Sequence, residues 1–234
     1  MKSSSFIRNN LLQQLLSITL KQSISMPSNF PFDAVLWDMD GTLIDSEPLW
    51  IEQERQLMES IGAIWTHEDA IHCLGGPMAR VDAYMRSKLP PDIHDKFAPL
   101  ALTNELLQRM EVRLSQEISF TPGAFELVNE MKSANLPLAL VSASSRPLMN
   151  AALTSIGTKL FDITISDNDV ERSKPDPEGY LKAAASLDVD ISRCLIIEDS
   201  ITGITAAIAS GAFVIGLPHV AELPHGPKVI HHLL

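Results

Sequence analysis

Apolar and polar positions follow two rhythms along this chain, and both begin near Pro31. Short apolar runs break off at polar residues: Asp33-Ala34-Val35-Leu36-Trp37, Pro137-Leu138-Ala139-Leu140-Val141, Phe161-Asp162-Ile163-Thr164-Ile165, Cys194-Leu195-Ile196-Ile197 and Phe213-Val214-Ile215-Gly216-Leu217. Runs this short and this apolar fit strands buried on both faces. Between them, apolar residues recur at helical spacing. Phe125, Leu127, Val128 and Met131 mark a helix over 123–134, and Leu148, Ala152, Leu153 and Ile156 one over 145–156. Tyr180, Leu181, Ala184 and Leu187 mark a third over 178–187, and residues 200–210 are small and apolar. Strands alternating with helices predict an α/β fold with a parallel sheet covered on both faces.

Nearly a hundred residues separate the first two runs, far more than a crossover needs. That stretch has helical signals of its own. One helix is expected from Glu47 to Ile61, ending before Gly62. Thr66 can cap the next, with Asp69 three residues on as a relative of the capping box. Residues 78–88 and 92–116 read as two more. The pattern predicts an inserted all-helical domain over 46–120, with the core built from 31–45 and 121–234.

Residues 1–30 differ and are expected to lie outside the fold. Lys2, Arg8 and Lys21 are their only charges, and Ser, Asn and Gln are frequent. Ile7, Leu11, Leu15 and Ile18 fit a short amphipathic helix. An acid-poor, Ser-rich amphipathic segment also fits a transit peptide. Met26 offers a third account, a folded protein that starts there. All three stay open.

Composition narrows the function. The chain has 234 residues, 45% hydrophobic and 20% charged, with net charge −11. This suits a globular protein. No stretch approaches ~20 consecutive apolar residues, so no membrane span is expected. An acidic chain disfavours a nucleic-acid partner, which wants a basic stripe. It leaves an anionic substrate open, because a metal ion and one lysine can invert the local field. Cys73 and Cys194, the only cysteines, read as reduced core thiols of a cytoplasmic protein. A monomer is compatible with all of this; nothing in the sequence fixes the oligomeric state.

The candidate chemistry sits where the apolar runs break: Asp38 after the first, Ser142 after the second, Glu198 and Asp199 after the fourth. Lys174 follows the third. Ligands of open α/β sheets bind at these carboxyl ends. Asp38 and Asp40, two residues apart on an extended chain, have Cα atoms ~6.6 Å apart. Such a pair can flank a phosphoryl group, one carboxylate attacking and the other protonating the leaving oxygen. Gly41 permits a bend there. A polar turn after a strand would explain the same tetrapeptide, a Ser N-cap would explain Ser142, and a solvated lysine would explain Lys174. None of these explains their joint order at strand ends.

That order resembles the haloacid-dehalogenase-type hydrolases. Asp38-Met39-Asp40-Gly41-Thr42-Leu43 resembles their first motif, Ser142 the second, Lys174-Pro175 the third and Glu198-Asp199-Ser200 the fourth. The likeness spans about residues 32–217, and four ordered motifs are a specific signal. The insertion is similar to the helical cap of the branch holding phosphoglycolate phosphatase, β-phosphoglucomutase and sugar-phosphate phosphatases, and Asp45-Ser46-Glu47-Pro48-Leu49-Trp50 to the last of these. The resemblance implies a Rossmann-like core with a helical cap. It implies Asp38 as nucleophile, forming an aspartyl-phosphate, and Asp40 as general acid and then base. It implies Mg²⁺ held by Asp38, the Asp40 carbonyl and Asp199, with Glu198 in support. Ser142, the Ala143 amide and Lys174 would hold phosphoryl oxygens. The implied partner is a small-molecule phosphate ester, a sugar phosphate above all.

Aspartate at position 40 fits the phosphatases and mutases of the family rather than its dehalogenases. The mutases tend to carry a cap-side histidine where this chain has Trp50, which demotes mutase activity. A non-catalytic binding protein of the same fold ranks below both. Glu47, Trp50 and Arg80 are the candidate cap contacts. His67 and His72 are five apart, not the four of a zinc-protease motif. His219, His225, His231 and His232 show no ligand spacing.

Overall fold

A computed structural model describes residues 30–74, 77–217 and 229–231. The expectations for residues 1–29, and those for His219, His225 and His232, lie outside the described residues.

Among the described residues, six strands form one parallel sheet: β1 (Ala34–Trp37), β2 (Leu138–Val141), β3 (Ile163–Ile165), β4 (Cys194–Glu198), β5 (Phe213–Gly216) and β6 (Val229–His231). Their order is β3-β2-β1-β4-β5-β6. The first five coincide with the apolar runs. β6 is an addition, three residues too short to stand out as a run. From β1 the sheet grows through β2 and β3 to one side, and the chain then returns to place β4 on the other side of β1. The crevice at the carboxyl ends of β1 and β4 is therefore the switch point of the sheet.

The described helices are α1 (Glu47–Ser60), α2 (His67–Cys73), α3 (Met78–Ser87), α4 (Ala101–Leu114), α5 (Ala124–Ser133), α6 (Arg146–Ile156), α7 (Glu178–Ser186) and α8 (Ile201–Ser210). Contacts divide the chain into two compact units. Among the described residues, a sheet unit takes those up to Ile44, Phe120–Ser145 and those from Thr158, and a helical unit takes those of Asp45–Ser119 and Arg146–Gly157. Residues of α6 thus group with the helices of the insertion.

In the sheet unit, Leu36, Ala139, Val141, Ile196 and Val214 pack with Ala183, Ala184, Ile204, Ala206 and Ala207 of α7 and α8 in one buried cluster. The alanines let helix backbones approach the β-branched strand surface closely, so the small residues of 200–210 have a packing reason. Cys73 and Cys194 are buried free thiols, which burial pushes up to about 12 and about 11.

The helical unit buries Leu57, Met58, Met85, Leu102, Leu106 and Met110. The capping box at Thr66 is formed: its hydroxyl accepts from the Asp69 amide at 3.2 Å, and its amide donates to Asp69 Oδ2 at 2.8 Å. The long helix expected over 92–116 is shorter. Only one 3₁₀ turn, His94–Lys96, precedes α4. Pro99 lacks an amide donor and turns Ala98 away from helical angles. Leu100 then takes a left-handed φ of 64°, and its amide donates to Asp82 Oδ2 at 3.0 Å. Among the described residues, no helix is long and apolar enough to cross a membrane.

Candidate active site

The sheet ladder itself fixes the first residues of the site. Asp38 follows β1, and its amide still donates to the Ile197 carbonyl of β4 at 3.0 Å. Ser142 follows β2, and its amide donates to Ile165 of β3 at 2.9 Å. Glu198 ends β4, where its carbonyl accepts from Leu217 at 2.8 Å. A last ladder bond leaves these side chains little freedom to drift.

Two glycines make room for carboxylates. Gly41 has φ +80°, and a Cβ there would lie 2.3 Å from Asp199 Oδ2. Without one, the loop after Asp38 closes on Asp199, and the buried Thr42 hydroxyl donates to Asp199 Oδ1 at 2.8 Å. Ser200 caps α8, accepting from the Gly203 amide at 3.0 Å. A Cβ on Gly203 would fall 1.4 Å from Glu198 Oε1. Only glycine in that first helical turn leaves space for the Glu198 side chain.

The buried ammonium of Lys174 joins the strand ends. It donates to Asp38 Oδ1 at 2.5 Å, Glu198 Oε1 at 2.8 Å and the Val141 carbonyl at 3.0 Å. Those are the three donors a lysine has. The Tyr180 hydroxyl donates to Glu198 Oε1 at 3.3 Å, and Lys174 Nζ lies 5.0 Å from its ring centre. Glu198 Oε2 accepts from the Ser200 amide at 2.8 Å and its hydroxyl at 3.1 Å. Glu198, fully buried, is thus held at both oxygens.

The cluster is short of positive charge. Burial pushes the Asp38 carboxyl well above the usual carboxylate range, and Glu198, Asp199 and Asp40 push the same way against the pull of Lys174. Burial alone would lower Lys174, but Asp38 and Glu198 outweigh it and raise it. Asp38 thus holds its proton more tightly chiefly through burial, and Lys174 through the two carboxylates it touches. Oxygens of Asp38, Glu198 and Asp199 lie within 4.8 Å of one another. Hard oxygen donors in a negative pocket fit a divalent cation of the Mg²⁺ type.

Asp40 is half-buried beside the Ser142–Ser144 loop. Its Oδ2 accepts from Ser144 Oγ at 2.7 Å and from Ser142 Oγ at 3.3 Å. Ser142 Oγ in turn accepts from the Ser144 amide at 2.9 Å. Asp38, Asp40, Ser142, Lys174, Glu198 and Asp199 therefore belong to one linked set, and exposed Ala143 lies in the same loop. Glu47 and Trp50, half-buried on α1, and Arg80, exposed on α3, belong to the helical unit. The Arg80 guanidinium donates to the Leu74 carbonyl at 3.5 Å.

Sequence reasoning gave no role to four residues of this set. Thr42 stood inside a quoted motif, but only the fold shows its hydroxyl on Asp199. Tyr180 read as one apolar position of a helix face. Ser144 gave a weak signal, a second hydroxyl two residues past Ser142. Gly203 gave another, a glycine inside a helical pattern.

Comparison with known proteins agrees with this geometry. The family profile described as haloacid dehalogenase-like hydrolase matches residues 35–217. The validoxylamine A 7'-phosphate phosphatase of Streptomyces hygroscopicus subsp. limoneus is 31% identical over 82% of this chain and 89% of its own length. Hexitol phosphatase B of Escherichia coli (strain K12) is 31% identical over 84% of this chain and 88% of its own. Among solved structures, a mutant of CbbY from Rhodobacter sphaeroides in complex with xylulose-(1,5)bisphosphate superposes with a TM-score of 0.69. It is 25% identical and covers 85% of this chain and 93% of its own.

Proposed function

The chain belongs to the haloacid dehalogenase-like hydrolases, and on that premise we propose that it is a Mg²⁺-dependent phosphatase of sugar phosphates or related polyol phosphates. One observation carries this reading. Asp38 and Asp40 meet Lys174, Ser142 and Asp199 in a single linked cluster at the carboxyl ends of β1, β2 and β4. The relatives' names, a validoxylamine A 7'-phosphate phosphatase and a hexitol phosphatase, support a phosphorylated polyhydroxy substrate.

Asp38 attacks phosphorus, forming a bond to it as the ester P–O bond breaks. Asp40 gives its proton to the leaving alcohol oxygen. Asp40 then takes a proton from water, whose oxygen bonds to phosphorus as the bond to Asp38 breaks, releasing inorganic phosphate. Lys174 orders Asp38 and offers positive charge to the phosphoryl oxygens, with the Ser142 hydroxyl and the Ala143 amide as further donors. Asp38, the Asp40 carbonyl and Asp199 would hold Mg²⁺, with Glu198 in support, directly or through water. When bound, the cation supplies the charge that lets an anionic ester approach an anionic nucleophile. Glu47, Trp50 and Arg80 of the helical unit are proposed to select the leaving group.

The test is phosphate release from sugar phosphates, hexitol phosphates, phosphoglycolate and nucleoside monophosphates. EDTA should abolish turnover and Mg²⁺ restore it. Asp38→Asn should lose at least about a thousandfold in kcat. Unchanged turnover in that variant overturns the mechanism, and an isomerised sugar phosphate in place of free phosphate would make the protein a mutase.

A further inference from the structure

We infer that Ser144 is a positioning residue for the acid–base carboxyl of Asp40. The inference rests on the proposed reaction and deepens it. The residue sits three positions past the end of β2, in the irregular loop before α6. Its hydroxyl donates to Asp40 Oδ2 at 2.7 Å, shorter than the 3.3 Å contact from Ser142 Oγ. The loop carrying it is pinned twice. The Ser144 amide donates to Ser142 Oγ at 2.9 Å, and its carbonyl accepts from the Asp167 amide at 3.0 Å.

Geometry separates the two serines. At 3.3 Å, Ser142 makes the weaker contact and is the one that can turn to a phosphoryl oxygen. At 2.7 Å, Ser144 makes the strong one. Ser144 thereby restrains the rotation of the Asp40 carboxyl about its Cβ–Cγ bond, and so its aim. A misaimed acid matters only when the leaving oxygen needs a proton.

Leaving-group chemistry therefore provides the test. The quantity kcat/KM reports the first half-reaction, in which Asp38 takes the phosphoryl group and Asp40 protonates the alcohol. Glycerol 2-phosphate leaves as a poor alkoxide, whereas p-nitrophenyl phosphate leaves as a stable phenolate that needs no proton. Ser144→Ala should lose about 10- to 100-fold in kcat/KM on the first, and no more than about threefold on the second. Ser144→Thr, which keeps the hydroxyl, should restore most of the alkyl rate. Equal losses on both esters, or no loss on either, overturn the inference. Asp40→Asn serves as reference. If it too shows no preference between the esters, the proposed acid role of Asp40 fails. If it discriminates and Ser144→Ala does not, only the Ser144 inference fails.

Discussion

Two glycines with the same backbone angle separate strain from function at the residue scale. Gly41 has φ +80° and Gly62 φ +79°, but a Cβ at Gly62 meets nothing within 4 Å whereas one at Gly41 meets Asp199 at 2.3 Å. Gly62→Ala should cost about 1 kcal/mol of stability and leave turnover intact. Gly41→Ala should cost a similar strain and abolish turnover, because Asp199 must move. Denaturant midpoints and kcat on the same samples decide; equal activity in both variants refutes the close approach. Glu54 gives a second residue-scale test. It is buried on α1, its Oε2 lacks a hydrogen-bond partner, and burial pushes it up to about 7 against a smaller opposing pull from Trp65. Between its ordinary value of 4.5 and about 7, the folded state holds more protons than the unfolded one. Stability therefore falls as pH rises through that window. Glu54→Gln should gain about 1–2 kcal/mol at pH ~8, after discounting for residual solvent, and almost nothing at pH ~5. Urea midpoints at the two pH values test this, and an equal gain at both contradicts it.

At the scale of elements, the seven-residue α2 depends on its first turn. Thr66→Ala removes the hydroxyl that accepts from the Asp69 amide. It should destabilise the helix by about 1 kcal/mol and raise amide exchange across His67–Cys73; unchanged exchange would mean the box adds nothing. Such caps were legible in the sequence because they are local: Thr66 and Asp69 sit three residues apart. The strands were legible for another reason. Burial on both faces leaves β1, β2 and β5 without polar residues and β4 with only its last, Glu198, so each reads as a run, and the polar residues that break the β1, β2 and β4 runs mark the site. Elements and roles that depend on distant partners were not legible. Tyr180 reaches Glu198 across 18 positions and Thr42 reaches Asp199 across 157, and no spacing rule records either contact. The apolar periodicity of 92–116 masked Pro99, whose missing amide delays α4 to Ala101. The periodicity of 145–156 gave the helix α6 but not its neighbours: its residues group with α4 in the helical unit.

For the whole molecule, the consequence is an acidic protein whose deepest polar cluster is itself too negative. The chain carries −11 overall, and Asp38 and Glu198 share the one ammonium of Lys174 while Asp199 crowds the same two carboxylates. Folding must hold these charges together, so a cation that binds only the folded cluster should stabilise the entire fold. At a hundredfold excess over its Kd, Mg²⁺ would add about 2.7 kcal/mol. For a chain of this length that is a rise of about 5–10 °C in Tm. Asp199→Asn should remove most of that rise. It should also match or exceed the parent Tm in EDTA, because one of the crowded charges has gone while Thr42 can still donate to the amide oxygen. The two effects have opposite signs, which separates ion binding from a damaged fold. A variant that is merely destabilised would lose Tm in EDTA as well. A variant that keeps the full Mg²⁺ shift would mean the ion binds elsewhere, and would remove Asp199 from the proposed metal site.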